Sequence, residues 1–114
     1  VGHGAYVRGG VVLAPNAKVG HATEVKRSLF LVDAKAPHLN YVGDSVLGHK
    51  VNIGAGVKLA NFNNMGTVIK IEGESTGLRK LGAMLGDEVT LGCNAATALG
   101  TIVGARTMVY QGAM

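Results

Sequence analysis

Arg8 and Lys26 lie eighteen residues apart, as do His3 and His21, and a further histidine, His38, sits in the run PHLNYVGDS from Pro37 to Ser45. Two cations brought together can hold a phosphate through charge-assisted hydrogen bonds. A histidine, with an ordinary pKa of about 6.5, can take a proton from a nucleophile near neutral pH. Neither chemistry is available unless the backbone carries groups eighteen apart to a common rim. The spacing must therefore be explained by the elements beneath it.

The chain repeats every six residues. Steps of six from Val1 meet Val7, Leu13, Val19, Val25 and Leu31; a second register holds Leu47, Ile53 and Leu59; a third holds Leu85, Leu91, Thr97, Val103 and Val109. Thirteen of these fourteen are aliphatic, and Gly or Ala follows ten of them. Neither the 3.6-residue period of a helix nor the two-residue period of a strand fits. A short strand plus a tight corner does. One aliphatic side chain points inward, a small residue lets the backbone turn, and three such units close a triangular coil of eighteen residues. Stacked coils pair like parallel strands about 4.8 Å apart and bury their apolar side chains against their neighbours.

Arg8, Lys26, Val32 and Tyr110 occupy the position otherwise given to Gly or Ala. Arg8 and Lys26 are one coil apart and should stack. At about 6 Å they would repel by roughly 0.7 kcal/mol in water and up to about 3 kcal/mol near a protein surface. The fold gains nothing from such a pair; a bound anion does. His3 and His21 should stack in the same way, as a pair on a solvent edge.

The register breaks twice. Leu31 and Leu47 are sixteen residues apart, which predicts an extra loop near 34–40. Leu59 and Leu85 are twenty-six apart, and the polar stretch NFNNMGTVIKIEGESTGLRK predicts a long excursion over 61–80. Insertions in solenoids are common places for binding.

Composition agrees with a narrow interior and limits the function classes. The 114 residues suit one domain, 1–114; 47% are hydrophobic, 18 are Gly, and the aromatics are three Tyr, two Phe and no Trp. No apolar run approaches the ~20 residues that span a bilayer, and no signal peptide is visible. With the single Cys93, these points predict a cytoplasmic protein with no disulfide, and no membrane partner. The net charge of +4 suits an anionic ligand, whereas the absence of Lys/Arg clusters interleaved with aromatics argues against nucleic acid. The sequence begins with Val1 in mid-repeat and reads as a piece of a longer protein.

The six-residue pattern resembles the hexapeptide-repeat acyltransferases. That resemblance implies an all-β, left-handed parallel β-helix of about five to six coils that forms a homotrimer with sites between subunits. Within that group, AYVR (Ala5 to Arg8), EVK (Glu24 to Lys26), PHLNYVGDS, VNIGAG (Val51 to Gly56) and Ala60–Asn61 resemble the acetyltransferase half of the bifunctional glucosamine-1-phosphate N-acetyltransferase/N-acetylglucosamine-1-phosphate uridylyltransferases. LRKLGAMLGD (Leu78 to Asp87) is most similar to the archaeal-type bifunctional sugar-1-phosphate nucleotidylyltransferases. The resemblance implies His38 as catalytic base, Arg8 and Lys26 as phosphate cations, and Tyr41, Asn52 and Asn61 as contacts to the amino sugar. It further implies Lys70 as the participating lysine of the long loop, and Cys93 and Gln111 on the acetyl-CoA side. Phe62 replaces a tyrosine of the bacterial branch, so one hydroxyl contact is missing.

The implied reaction has acetyl-CoA as co-substrate and needs no metal. A 2-amino sugar is mostly an ammonium at neutral pH and must lose a proton before attacking a thioester. His38 would take it, and hydrogen-bond donors would stabilise the tetrahedral intermediate. With no Gly-rich G-x-G-T-R loop in the sequence, these 114 residues are expected to have no nucleotidylyltransferase activity. Two rival readings are a non-catalytic trimerising module, which has no use for His38, Arg8 and Lys26 together, and a zinc carbonic anhydrase. The hexapeptide-repeat carbonic anhydrases use an H-x4-H pair, which His3, His21, His38 and His49 do not supply.

Overall fold

A computed structural model describes residues 1–114. The chain is a left-handed parallel β-helix without a helical segment. Coil one holds β1 (Tyr6–Val7), β2 (Val12–Leu13) and β3 (Lys18–His21). Coil two holds β4 (Glu24–Lys26), β5 (Leu29–Phe30) and β6 (Lys35–His38). Coil three holds β7 (Tyr41–Gly43), β8 (Val46–Leu47) and β9 (Asn52–Ile53). Coil four starts with β10 (Lys58–Leu59), leaves the stack for a hairpin of β11 (Lys70–Ile71) and β12 (Glu74–Ser75), and returns with β13 (Met84–Leu85) and β14 (Thr90–Leu91). Coil five holds β15 (Ala96–Thr97), β16 (Ile102–Val103) and β17 (Met108–Val109).

Like strands of successive coils pair in parallel and form three faces of five strands each. Face one is β1-β4-β7-β10-β15, face two is β2-β5-β8-β13-β16 and face three is β3-β6-β9-β14-β17. Three columns of inward side chains fill the prism, among them Val25, Val42 and Leu59 from face one, Phe30, Leu47 and Leu85 from face two, and Val19, Ile53 and Leu91 from face three. Phe30 is the largest side chain fully buried, and the third face of its coil offers only Ala34 and Ala36. The bulk of one face is thus matched by small residues on another, as close packing demands.

The loop expected near 34–40 is absent. Lys35–His38 is strand β6, in register with both β3 and β9. What shortens the spacing is the corner between faces one and two, which loses a residue in coils two and three. Val7 pairs with Val25 eighteen residues on, but Val25 pairs with Val42 after only seventeen. Consequently Phe30, not Leu31, is the inward residue, and Leu31 and Val32 are only half-buried. A serine bridges each shortened corner. Ser28 Oγ donates to the Lys26 carbonyl (2.8 Å) and Ser45 Oγ to the Gly43 carbonyl (2.8 Å). Each hydroxyl also accepts a main-chain N–H from the next coil, that of Ser45 and of Ala83. The side chain replaces the polar groups that the missing residue would have brought.

The small residue after each inward aliphatic is not the turning residue. After Val19, Gly20 is extended and the turn falls on Ala22, with φ 56°. Gly20 is small because a Cβ there would run into the Pro37 carbonyl of the next coil. Eleven non-glycine residues take left-handed φ values, Leu39 (52°) and Asp44 (49°) on either side of Tyr41 among them. An isolated chain would resist this conformation by about 1–2 kcal/mol per residue; stacking on both sides imposes it. No helix is long and apolar enough to cross a membrane.

Candidate functional site

Face one carries most of the residues singled out by sequence, and its two edges differ. Along the edge towards face two, Arg8 donates its main-chain N–H to the Val25 carbonyl beside Lys26, and Lys26 pairs with Gly43. The two cations do stack, and they line an open groove with Gly9, Gly10 and Arg27. They are not bare, however. Arg8 Nη1 meets Glu24 Oε2 at 3.0 Å, and Lys26 Nζ meets Asp44 Oδ2 at 2.9 Å. The repulsion expected between the stacked cations is offset by a carboxylate for each.

The two ion pairs have different surroundings. Arg8 and Glu24 have side chains 41% and 38% exposed, where an ion pair contributes little; Lys26 and Asp44 are only 9% and 11% exposed. Burying that pair requires further hydrogen bonds, and Asn61 supplies one. Its Nδ2 donates to Asp44 Oδ2 at 2.7 Å and to Tyr41 Oη at 3.0 Å. Lys26, Asp44, Asn61 and Tyr41 therefore form one connected network, which unites three of the sequence-derived candidates. Gly43 makes room for it: a Cβ there would lie 2.7 Å from Tyr41 Oη and nearer still to Asn61 Nδ2.

The opposite edge, towards face three, carries a single column: His3, His21, His38, Ala55, Cys93 and Gln111. His3 and His21 stack with ring centroids 6.1 Å apart and 9° between planes, and His21 Nδ1 bonds the His3 carbonyl at 2.6 Å. His21 pairs with His38. Hydrogen bonds from Gly56 to the His38 carbonyl, Asn94 to the Ala55 carbonyl and Gly112 to the Cys93 carbonyl continue the column. His38, Cys93 and Gln111 are exposed. At about 4.8 Å per coil, His38 and Cys93 are roughly 10 Å apart along the edge. His38 lines none of the chain's grooves, because a convex edge encloses nothing by itself. No three His, Cys, Asp or Glu side chains converge as a metal-binding group.

The corner below His38 is fixed from inside. Asn40, buried at 4% exposure, accepts the His38 N–H (3.1 Å) and donates to the Gly54 and Val57 carbonyls at 2.8 and 3.2 Å. Its N–H meets the buried Thr23 hydroxyl at 3.4 Å.

Asn52 and Lys70 do not join these groups within one chain. Asn52 stands on face three, paired with Lys35 and Thr90, in a groove it shares with Asp33 and Lys50. Lys70 is on the β11–β12 hairpin and borders a depression floored by Ala98 and Leu99 of coil five. Phe62, at the root of the excursion, bridges Lys80, whose ammonium lies 5.6 Å from the ring centre.

No family model matches the chain. Over 99% of its length it is 39% identical to a Sulfurisphaera tokodaii protein named bifunctional sugar-1-phosphate nucleotidylyltransferase/acetyltransferase. It is 37% identical over 92% of its length to the bifunctional protein GlmU of Methanococcus maripaludis, and 34% identical over its whole length to that of Xanthomonas oryzae. Along its length the chain is homologous to one part of the GlmU-type proteins. It spans 29%, 26% and 22% of the lengths of these three relatives and so corresponds to one part of them.

Sequence reasoning missed three participants in this GlmU-related chain: Glu24, Asp44 and Asn40. Glu24 was within reach, two residues before Lys26 on the same face. Asp44 follows Lys26 by eighteen residues, but the coil there is seventeen long, so Gly43 stacks on Lys26 and Asp44 reaches the ammonium from the next position. Asn40 was hidden, because an inward asparagine stands where the pattern prefers a small or β-branched residue.

Proposed function

We propose that this GlmU-related chain transfers acetyl from acetyl-CoA to the amine of an amino-sugar-1-phosphate, glucosamine-1-phosphate or galactosamine-1-phosphate. The observation that carries the reading is the Lys26–Asp44–Asn61–Tyr41 network beside Arg8, on the face whose other edge bears His38. Arg8 and Lys26 hold the phosphate, and Tyr41 and Asn61 meet the sugar. His38 removes a proton from the ammonium. The freed amine attacks the thioester carbonyl, the C–S bond breaks, and coenzyme A leaves as a thiol after taking a proton. Cys93 and Gln111, further along the His38 column, border the coenzyme and form no bond with the acyl group.

A reacting site needs walls that exclude water, and a second copy of the chain would supply one along the Arg8–Lys26 edge, which borders face two. The outward column of face two is apolar throughout, Val12, Leu29, Val46, Met84 and Ile102 in register. Val12 and Ile102 are 60% and 64% exposed in the isolated chain. Burying this column around a threefold axis gives a homotrimer. Asn52 and Lys70, remote from the network within one chain, then act from a neighbouring subunit.

The test is thiol release on mixing the protein with acetyl-CoA and either amino-sugar phosphate, with light scattering for the assembly. Release that His38→Ala abolishes supports the reading; equal release from the variant removes His38 from the mechanism. No release from the wild type favours the rival reading, a non-catalytic trimerising module.

A further inference from the structure

We infer that Asp44 is a positioning residue that fixes the polarity of the sugar-phosphate site, acting through Lys26 and Asn61. The inference rests on the sugar-phosphate reading above and adds a residue to it.

Asp44 is tied to Lys26 twice. Its N–H donates to the Lys26 carbonyl at 3.0 Å, and its Oδ2 accepts from Lys26 Nζ at 2.9 Å. The main chain and the head of a long, flexible side chain are thus held by one residue. An ammonium has three donors; Asp44 takes one and leaves two for a ligand phosphate. The other bond to Oδ2 comes from Asn61. A carboxylate can only accept, so Asn61 must turn its NH2 group inward, where both N–H bonds are used, on Asp44 and on Tyr41 Oη. The Asn61 carbonyl oxygen is then the atom left for a ligand, and it accepts from an amine or hydroxyl. One carboxylate therefore presents N–H donors to an anion and an acceptor to an N–H or O–H group, as an amino-sugar phosphate requires.

Asp44 sits at φ 49°, the left-handed corner conformation that stacking imposes elsewhere in the coil and that aspartate tolerates better than most residues with a side chain. Ser45 fixes the shortened corner from the other side, donating to Gly43 and accepting from Ala83.

The experiment measures KM and kcat for glucosamine-1-phosphate with the full chain, in wild type, Asp44→Asn, Lys26→Met and the double variant. Asp44→Asn keeps the shape, frees Lys26 and lets the Asn61 amide turn round. A positioning role raises KM about tenfold or more with kcat changed less than about threefold, and in the Lys26→Met background, where only the Asn61 arm remains, the same substitution raises KM by a clearly smaller factor. An unchanged KM overturns the inference. So does a lowered KM, which would mean that Asp44 only repels the phosphate, or a rise undiminished in the Lys26→Met background. Should circular dichroism show Asp44→Asn unfolded, Asp44→Glu, which keeps the charge but displaces it, is read by the same criteria. A wild type that neither turns over nor binds the sugar phosphate overturns the acetyltransferase reading instead, so the two failures are distinct.

Discussion

The two edges of face one are built by opposite rules. The edge with Arg8 and Lys26 is complete within one chain: its buried cation has a carboxylate, the carboxylate has a second donor, and a glycine clears the space. The edge with His38 is unfinished: the imidazole stands on an exposed corner, and what fixes it is an asparagine behind the backbone. A group that binds must be held before the ligand arrives. A group that moves a proton needs a defined place but also room for the reactants; at His38 the place is set from within, and nothing in the single chain encloses it.

If the edges divide binding from proton transfer, they can be damaged separately. The largest effect is expected from His38→Ala, a fall of about 10²- to 10⁴-fold in kcat with sugar-phosphate affinity by calorimetry unchanged; a matching loss of affinity would merge the two edges. Asn40→Ala should come next. Loss of the three side-chain hydrogen bonds of the buried Asn40 should lower stability by about 1–3 kcal/mol, read by denaturant titration, and reduce kcat more than affinity. Gly43→Ala tests the other edge. Its Cβ displaces Asn61 and Tyr41, so KM for the sugar phosphate should rise about tenfold while a thermal scan shifts little. An equal rise in Asn40→Ala would erase the distinction.

The smallest effect belongs to neither edge. Asp87, exposed on the surface, has a pKa below its ordinary 3.8, first because the His49 main-chain N–H bonds its carboxylate and then because the His49 side chain does so. A depressed carboxylate pKa stabilises the fold above the unfolded value, and that contribution disappears as pH falls through the folded value. Wild type should therefore have a slightly higher melting temperature than Asp87→Asn above about pH 4 and converge with it under stronger acid. Activity at neutral pH should be the same in both.

The six-residue rhythm made the fold legible, because a β-helix writes its inward positions directly into sequence. It could not reveal that two corners were one residue short. A missing residue at a corner and an added loop elsewhere shift the register alike, and the serines that mend the corners, Ser28 and Ser45, look like ordinary polar corner residues. Their shared interval of seventeen was the available signal. In the site, stacking placed Arg8 over Lys26, yet the carboxylates escaped notice because charge was considered along the rim only for one sign. The distance of Asn52 and Lys70 from the network was not legible, since it depends on how faces lie around the prism and not on spacing along the chain.

The β11–β12 hairpin departs from the stack and returns without disturbing it. Leu59 still pairs with Thr97 before the departure, and Leu85 with Leu47 after it. The coil register is thus independent of what is threaded out at that corner, while buried Ile69 rests the excursion beside Gly100 of coil five. A different length or chemistry could be grafted between Asn61 and Lys80 so long as it covers that spot, so a descendant of this architecture can exchange its loop as one replaces a bit in a drill, leaving the shaft alone.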